Sequence, residues 1–279
     1  MRSDAVATVD TSKPGLPVDG HVHFHRLERV GATLDSAAAN FSQVGCGVTN
    51  VLGVLMLVES HAEDVFGRLA EAEFAGSWRI STVEQEPQSL LASSRGRTLL
   101  IVCGRQISCA DGLEVLALGA LQRYPQGAEL ERTLARVQAD GHIAVVPWGF
   151  LKWRGFRGDR IRELMAGQAQ GSLFFGDNGG RMGALGAPRL LQQAEHAGFA
   201  LLPGTDPFPF GRDYRRVGSF GFVAGAELDP AAPWTNLQHW LRENPDRIRP
   251  YGRAVGSLKF VFNQGWIQLH NKVLRRPGV

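Results

Sequence analysis

From Val18 onward, short apolar runs alternate with amphipathic stretches, and few folds accommodate that succession. An apolar run of about four to eight residues has the length of a buried strand, whereas apolar residues three or four positions apart mark one face of a helix. Strand and helix in turn make βα units and a mostly parallel sheet. Strands are expected at 18–24, 48–58, 113–118, 143–147, 172–175, 199–203 and 217–224. Helices are expected at 33–44, 61–74, 128–140, 159–168, 187–197 and 234–243. The stretch 128–140 is the clearest, with Leu130, Leu134 and Val137 on one face and Gly141 as its stop. Residues 78–109 interrupt the rhythm: 78–83 and 98–103 have strand composition with no helix between them, so a small β insert is expected there. Polar, reactive residues follow strand after strand, and a barrel gathers such residues at one mouth. The expected fold is therefore an α/β barrel of TIM-like type.

Length and local composition place the boundaries. Residues 1–16 read as a flexible tail ending in Pro14-Gly15-Leu16-Pro17, and 17–279 as a single domain. Its C-terminal stretch, with Trp266, Lys272, Arg275 and Arg276, reads as a helical extension packed on the barrel.

Charge and hydropathy exclude several partners. Charged side chains make up 20% of the chain and the net charge is +3, with no clustered basic face, so no nucleic-acid partner is expected. No run reaches the ~18 apolar residues of a membrane span. The N-terminus carries Arg2, Asp4 and Asp10 and lacks the apolar stretch of a secretory signal. These features point to a cytoplasmic protein without membrane contact. Cys46, Cys103 and Cys109 form no CxxC pair and sit in or beside apolar runs, which reads as buried thiols rather than a disulfide framework or zinc ribbon.

Two motifs carry chemistry. The first is Asp19-Gly20-His21-Val22-His23-Phe24-His25. Side chains at i and i+2 on a strand share a face, so His21 and His23 can offer two imidazoles to one ion. The second is Leu202-Pro203-Gly204-Thr205-Asp206-Pro207, where Asp206 follows an apolar run and can add a carboxylate to the same ion. A plain turn capped by Asp206 is the competing reading of that second motif.

The order of these motifs resembles the polymerase-and-histidinol-phosphatase (PHP) superfamily of metal-dependent phosphoesterases. The family's opening Asp-x-His-x-His corresponds to Asp19, His21 and His23. Its Thr-Asp-His motif has a counterpart in Glu59-Ser60-His61, and its Gly-Ser-Asp-Ala-His motif in Gly204-Thr205-Asp206-Pro207-Phe208. Its Gly-x-Glu-Ile motif resembles Gly104-Arg105-Gln106-Ile107, with Gln106 in place of a metal-bridging glutamate. Pro147-Trp148 stands where an Ala-His-Pro ligand histidine is expected, and Phe208 replaces the last histidine. The resemblance covers about 18–225 and implies a distorted (βα)7-type, PHP-like barrel. It also implies metal ligands His21, His23, His61 and Asp206, with Asp206 and His61 as the catalytic groups. The missing ligands leave room for one divalent ion (zinc, manganese or iron) where the family's full site holds up to three.

The surroundings suggest an anionic ligand. Lys152 and Arg154 lie among aromatics in the loop after 143–147, and Asn178 and Arg181 lie in a glycine-rich loop after 172–175. Arg212 follows Asp206 in sequence, and Gln106 is expected to face the substrate. The expected function is a metal-dependent hydrolase, a phosphoesterase acting on a small anionic substrate through a metal-activated water held by His21, His23 and Asp206. A catalytically degenerate PHP-like barrel that binds an anionic ligand or a protein partner is the alternative. An amidohydrolase-like C–N or lactone hydrolase is a further one.

Overall fold

The computed structural model describes residues 15–44, 51–149, 151–168, 171–179 and 186–254. Strand β1, Leu16–Val22, is buried along its whole length, the pattern of a strand covered on both faces. It pairs in parallel with β2, Gly53–Leu57, and antiparallel with β12, Phe220–Ala224. Strand β13, Arg249–Gly252, continues the sheet beyond β12. On the other side β2 pairs in parallel with β6, Arg97–Val102. An antiparallel meander of β5 (Glu86–Ser94), β4 (Trp78–Val83) and β3 (Phe74–Ala75) then runs out to the edge. The result is an eight-stranded mixed sheet.

A second, five-stranded mixed sheet holds β7 (Gly104–Ser108), β8 (Glu114–Leu118), β9 (Ile143–Pro147), β10 (Phe174–Asp177) and β11 (Leu201–Pro203), in that spatial order. These strands are rich in Val, Ile, Leu and Phe because both faces are covered. One core layer lies between the sheets and includes Val18, Met56, Val102, Leu116, Val145 and Phe174. Helices α1 (Val30–Val44) and α2 (Val65–Ala70) close the outer face of the first sheet, with Leu34, Phe41 and Phe66 against Leu55 and Ile101. Helices α3 (Leu130–Ala139), α4 (Phe156–Gly167) and α5 (Arg189–His196) do the same for the second, with Leu134, Ile161 and Leu191 against Val146 and Phe175.

Helix α6, Pro233–Glu243, adds Trp234, Leu237 and Leu241 to the layer between the sheets. Its first turn is held from the meander: buried Glu86 accepts hydrogen bonds from Trp234 N at 2.7 Å and Thr235 N at 2.8 Å. That carboxylate satisfies amides that the helix itself leaves unpaired.

The expected distorted (βα)7-type barrel is thereby corrected to an open α/β fold of two mixed sheets. The cause is the segment read as a small insert. It forms a long strand, β5, that was not anticipated, and it returns β6 along the whole edge of β2. That edge would otherwise receive the next parallel strand of a barrel, so β7 instead opens a second sheet by pairing antiparallel with β8. Besides the core layer they share, the sheets are linked by a parallel bridge between Glu59 and Arg105 and through Asp206 N, which donates to His21 O at 2.8 Å.

Leu16, placed by sequence in the tail, is fully buried and opens β1. Gly15 beside it is buried as well, and residues 1–14, Cys46 and the C-terminal extension from 255 onward lie outside the described residues. Cys103 and Cys109 are buried free thiols, and burial pushes the Cys109 thiol up to about 11. No described helix is long and apolar enough to cross a membrane.

Candidate metal centre

His21 is buried one residue before the end of β1 and His23 is the first residue beyond the strand, so both rings project to the same side. Their Nε2 atoms stand 3.0 Å apart. Asp206, on the loop after β11, brings Oδ1 to 3.5 Å from each of those nitrogens. Among the described residues, no other group of three His, Cys, Asp or Glu side chains brings its ligand atoms this close together.

Two glycines make the approach sterically possible. A Cβ on Gly204 would stand 2.2 Å from His21 N, and one on Gly20 would stand 2.7 Å from the Pro203 carbonyl oxygen. Any other residue at either position pushes β1 and β11 apart and takes Asp206 with it. Asp206 itself adopts φ +42°, the left-handed region that Asp tolerates better than most residues. Its backbone N–H to His21 O holds that conformation, and Asn178 Nδ2 donates to Oδ2 at 3.0 Å. One carboxylate oxygen is thus fixed by Asn178 while the other faces the imidazoles.

Asp19 ties the assembly together from beneath. Its Oδ1 accepts from His21 N at 3.3 Å and Thr205 N at 2.8 Å. Its Oδ2 accepts from Thr205 Oγ1 at 2.6 Å and Gly218 N at 2.8 Å. Complete burial raises its pKa to about 6 against the opposing pull of those hydrogen bonds.

The protonation states suit metal ligation. Burial lowers the pKa of His23, the neighbouring His21 adds to the effect, and together they outweigh the pull of Asp206 in the other direction. For Asp206, burial acts upward, but His21 and His23, followed by Lys152 and Arg216, overcome it and hold the carboxyl below its usual range. At neutral pH the pair presents a neutral imidazole and a carboxylate, the forms that ligate metals. His25 donates from Nε2 to Pro207 O at 2.7 Å, a strap between the end of β1 and the Asp206 loop.

Tetrahedral ligands about 2.0–2.2 Å from a shared centre stand about 3.3–3.6 Å apart. Asp206 Oδ1 stands at that distance, 3.5 Å, from each imidazole nitrogen, and the two nitrogens are closer together, at 3.0 Å. Two imidazoles and one carboxylate are a donor set that zinc, iron or manganese accepts. His21 Nδ1 is buried and has no hydrogen-bond partner among the described residues, so no polar contact orients the ring from that side.

The other residues singled out by sequence fall elsewhere. His61, expected as fourth ligand and catalytic group, is exposed on the turn after β2 and is not part of the three-residue cluster. The reason lies in its neighbour Glu59, which is buried instead. Glu59 Oε1 accepts from Val65 N and Phe66 N at the start of α2, and Oε2 pairs with Arg105 at 3.2 Å. The chain therefore turns Glu59 inward and His61 outward. Gln106 is half-buried on β7, and its Oε1 has no partner among the described residues.

Lys152 is paired with Glu114 at 2.6 Å and acts on Asp206 through its charge. Arg154 and Arg212 are exposed and form no ion pair among the described residues. Arg181 lies outside the described residues. Asn178, expected to touch a substrate, donates to Asp206 Oδ2, a contact that no local pattern announces. Asp19 had a signal: it shares the period-2 parity of His21 and His23, which turns it to the same interior side.

No protein-family model matches the chain, and no curated protein matches it. Among solved structures it is similar to PsfC from Pseudomonas syringae PB-5123, at 17% identity and a TM-score of 0.54, covering 94% of this chain and 99% of that one. At this identity the likeness concerns the fold, not the chemistry.

Proposed function

We propose that the protein is a metal-dependent hydrolase that holds one divalent ion on His21, His23 and Asp206 and acts on a small anionic substrate, a phosphoester above others. The observation that carries this reading is the convergence of two Nε2 atoms and Oδ1 within 3.5 Å of one another. A divalent ion held there supplies a water of lowered pKa and polarises the scissile group. His21 and His23 provide nitrogen donors, Asp206 provides compensating charge, and Asn178 keeps Oδ1 turned toward the histidines. Lys152 and Arg216 act on Asp206 through their charge while each is paired with a carboxylate of its own, Glu114 and Asp213. The ordered motifs shared with the PHP superfamily support the choice of phosphoester.

The test is elemental analysis of protein purified without chelator, joined to a turnover panel of 4-nitrophenyl phosphate, a lactone and an anilide. About one zinc, iron or manganese per chain and cleavage of the phosphate are expected. Cleavage of the lactone or anilide alone moves the protein to the C–N and lactone hydrolases. Bound metal without turnover on any of them supports a ligand-binding role. That second reading is favoured by Gln106 and Phe208, which stand where a bridging carboxylate and a ligand histidine are expected.

A further inference from the structure

A groove of about 780 Å³, open to solvent, lies between the loop after β8 and helix α3. Small-molecule sites typically occupy about 300–1,000 Å³. Arg132 and Arg136 line it one turn apart on α3, about 6 Å along the axis, and Arg123 lines it from the loop. Arg123 and Arg132 are exposed, with no hydrogen-bond or ion-pair partner among the described residues. Arg136 is held by one nitrogen only: Nε donates to Asp140 Oδ2 at 3.0 Å, and neither Nη has a partner among the described residues. Asp140 is the one carboxylate among the described lining residues, and it is occupied. Its Oδ2 also accepts from Tyr124 Oη at 3.1 Å and from Gln122 Nε2 at 3.5 Å. The groove lies away from the candidate metal centre. Glu114, whose charge reaches His23, opens β8, whereas the loop follows the other end, about 14 Å further on at ~3.4 Å per residue.

We propose that this groove is a second binding site, separate from the candidate metal centre, for a small polyanion of the polyphosphate class. Three guanidiniums against one occupied carboxylate leave a net positive field in the groove. The guanidinium fork matches phosphate oxygens two at a time, and the terminal nitrogens of Arg123, Arg132 and Arg136 are all unclaimed among the described residues. With Nε pinned by Asp140, the Arg136 fork is ordered before a ligand arrives, so less side-chain freedom is lost on binding. The spread of the arginines calls for more than one oxyanion. Arg132 to Asp140 covers about 12 Å of helix, a length that a short phosphate chain fills with charge on every unit. An extended acidic peptide turns every second side chain away from such a floor. Tyr124 is the only aromatic residue lining the groove and its ring is buried, so the phosphates themselves carry the recognition.

The experiment is calorimetry on the full-length protein with chelator present, comparing tripolyphosphate with inorganic phosphate. One tripolyphosphate per chain is expected, bound at least about a hundredfold more tightly than phosphate because linked charges engage several arginines at once. Arg123→Ala and Arg132→Ala should each weaken it by about tenfold. Arg79→Ala, at an exposed position on β4, should leave it unchanged, as should Asp206→Ala. All five side chains except Asp206 stand in solvent or in the open groove, so these variants fold, and thermal melts verify it. No binding of tripolyphosphate overturns the proposal. Equal weakening by all three arginine variants, or by none, overturns it too, since the anion then follows net charge rather than the groove. Loss of binding in Asp206→Ala places the anion at the metal centre and has the same consequence. A hexaglutamate peptide that binds more tightly than tripolyphosphate overturns the polyphosphate class and makes the groove a dock for acidic protein segments. None of these outcomes touches metal content or turnover, so the hydrolase reading stands or falls separately.

Discussion

Asp19 and Thr205 lie 186 positions apart and are joined twice: Thr205 Oγ1 donates to Oδ2 at 2.6 Å and Thr205 N donates to Oδ1 at 2.8 Å. Neither residue belongs to the His21, His23 and Asp206 cluster. Each stands close to it in sequence, Asp19 two positions before His21 and Thr205 one before Asp206. The pair therefore sets the distance between the two halves of the candidate site, and the first prediction follows from its loss.

Asp19→Ala leaves the Thr205 and Gly218 amides buried without an acceptor, and each such group costs about 1–3 kcal/mol. A drop in unfolding free energy of more than about 3 kcal/mol is expected in urea titrations. Thr205→Val, which retains the backbone donor, should cost about half as much.

The same carboxylate makes stability depend on pH. Its folded pKa of about 6 lies above the ordinary value of 3.8, so the folded state binds this proton more tightly than the unfolded chain. Its contribution is complete below about pH 4 and is lost as pH rises through 6, a change of up to about 3 kcal/mol. Urea midpoints of chelator-treated protein across pH 4 to 7 should show this decline, and Asp19→Ala should lack it.

Gly204→Ala places a methyl group where the His21 amide nitrogen stands, 2.2 Å away. The two sheets must separate, and a loss of about 3 kcal/mol or more is expected, together with loss of bound metal. Gly167→Ala, at the end of α4 with nothing within 4 Å of the added carbon, should be neutral or stabilising by up to about 1 kcal/mol. Thermal melts of the two variants side by side give the comparison.

Asn178→Ala removes the donor that fixes Asp206 Oδ2. Outer hydrogen-bond partners of this kind typically change metal affinity about 10- to 100-fold, and a loss in that range is expected in competition with a chromophoric chelator. Asn178→Asp should be worse, because it adds a like charge against Asp206.

His23→Ala and Asp206→Ala should each abolish metal binding, while His61→Ala, on the exposed turn, should retain it. For the parent, saturating zinc at about 100 times its dissociation constant should stabilise the fold by about 2.7 kcal/mol, seen as a rise in melting temperature that chelator reverses. An unchanged melt in both conditions argues against a metal site at these residues.

Periodicity alone makes much of the secondary structure legible. The helix read at 128–140 stands at Leu130–Ala139, and the strand read at 143–147 is β9, Ile143–Pro147, because an apolar spacing of three to four or an unbroken apolar run is local and survives in any tertiary setting. Strand parity likewise puts His21 and His23 on one face without reference to the rest of the chain. What local pattern leaves open is which strands share an edge. Strand β5 carries Pro87, Gln88 and three serines, a composition too polar to read as strand, and its pairing with β6 on one side and β4 on the other is what keeps the sheets from closing into a barrel. The direction of His61 was decided by Glu59, whose burial is compensated only by Arg105, 46 residues away, and by the first amides of α2. The placement of Asp206 depended on two glycines permitting a close backbone approach and on Asn178, 28 residues distant in sequence, holding one of its oxygens. Short-range spacing reports which residues share a face of one element; the hydrogen-bond partners of a buried carboxylate come from wherever the fold brings a donor, and no local pattern records them.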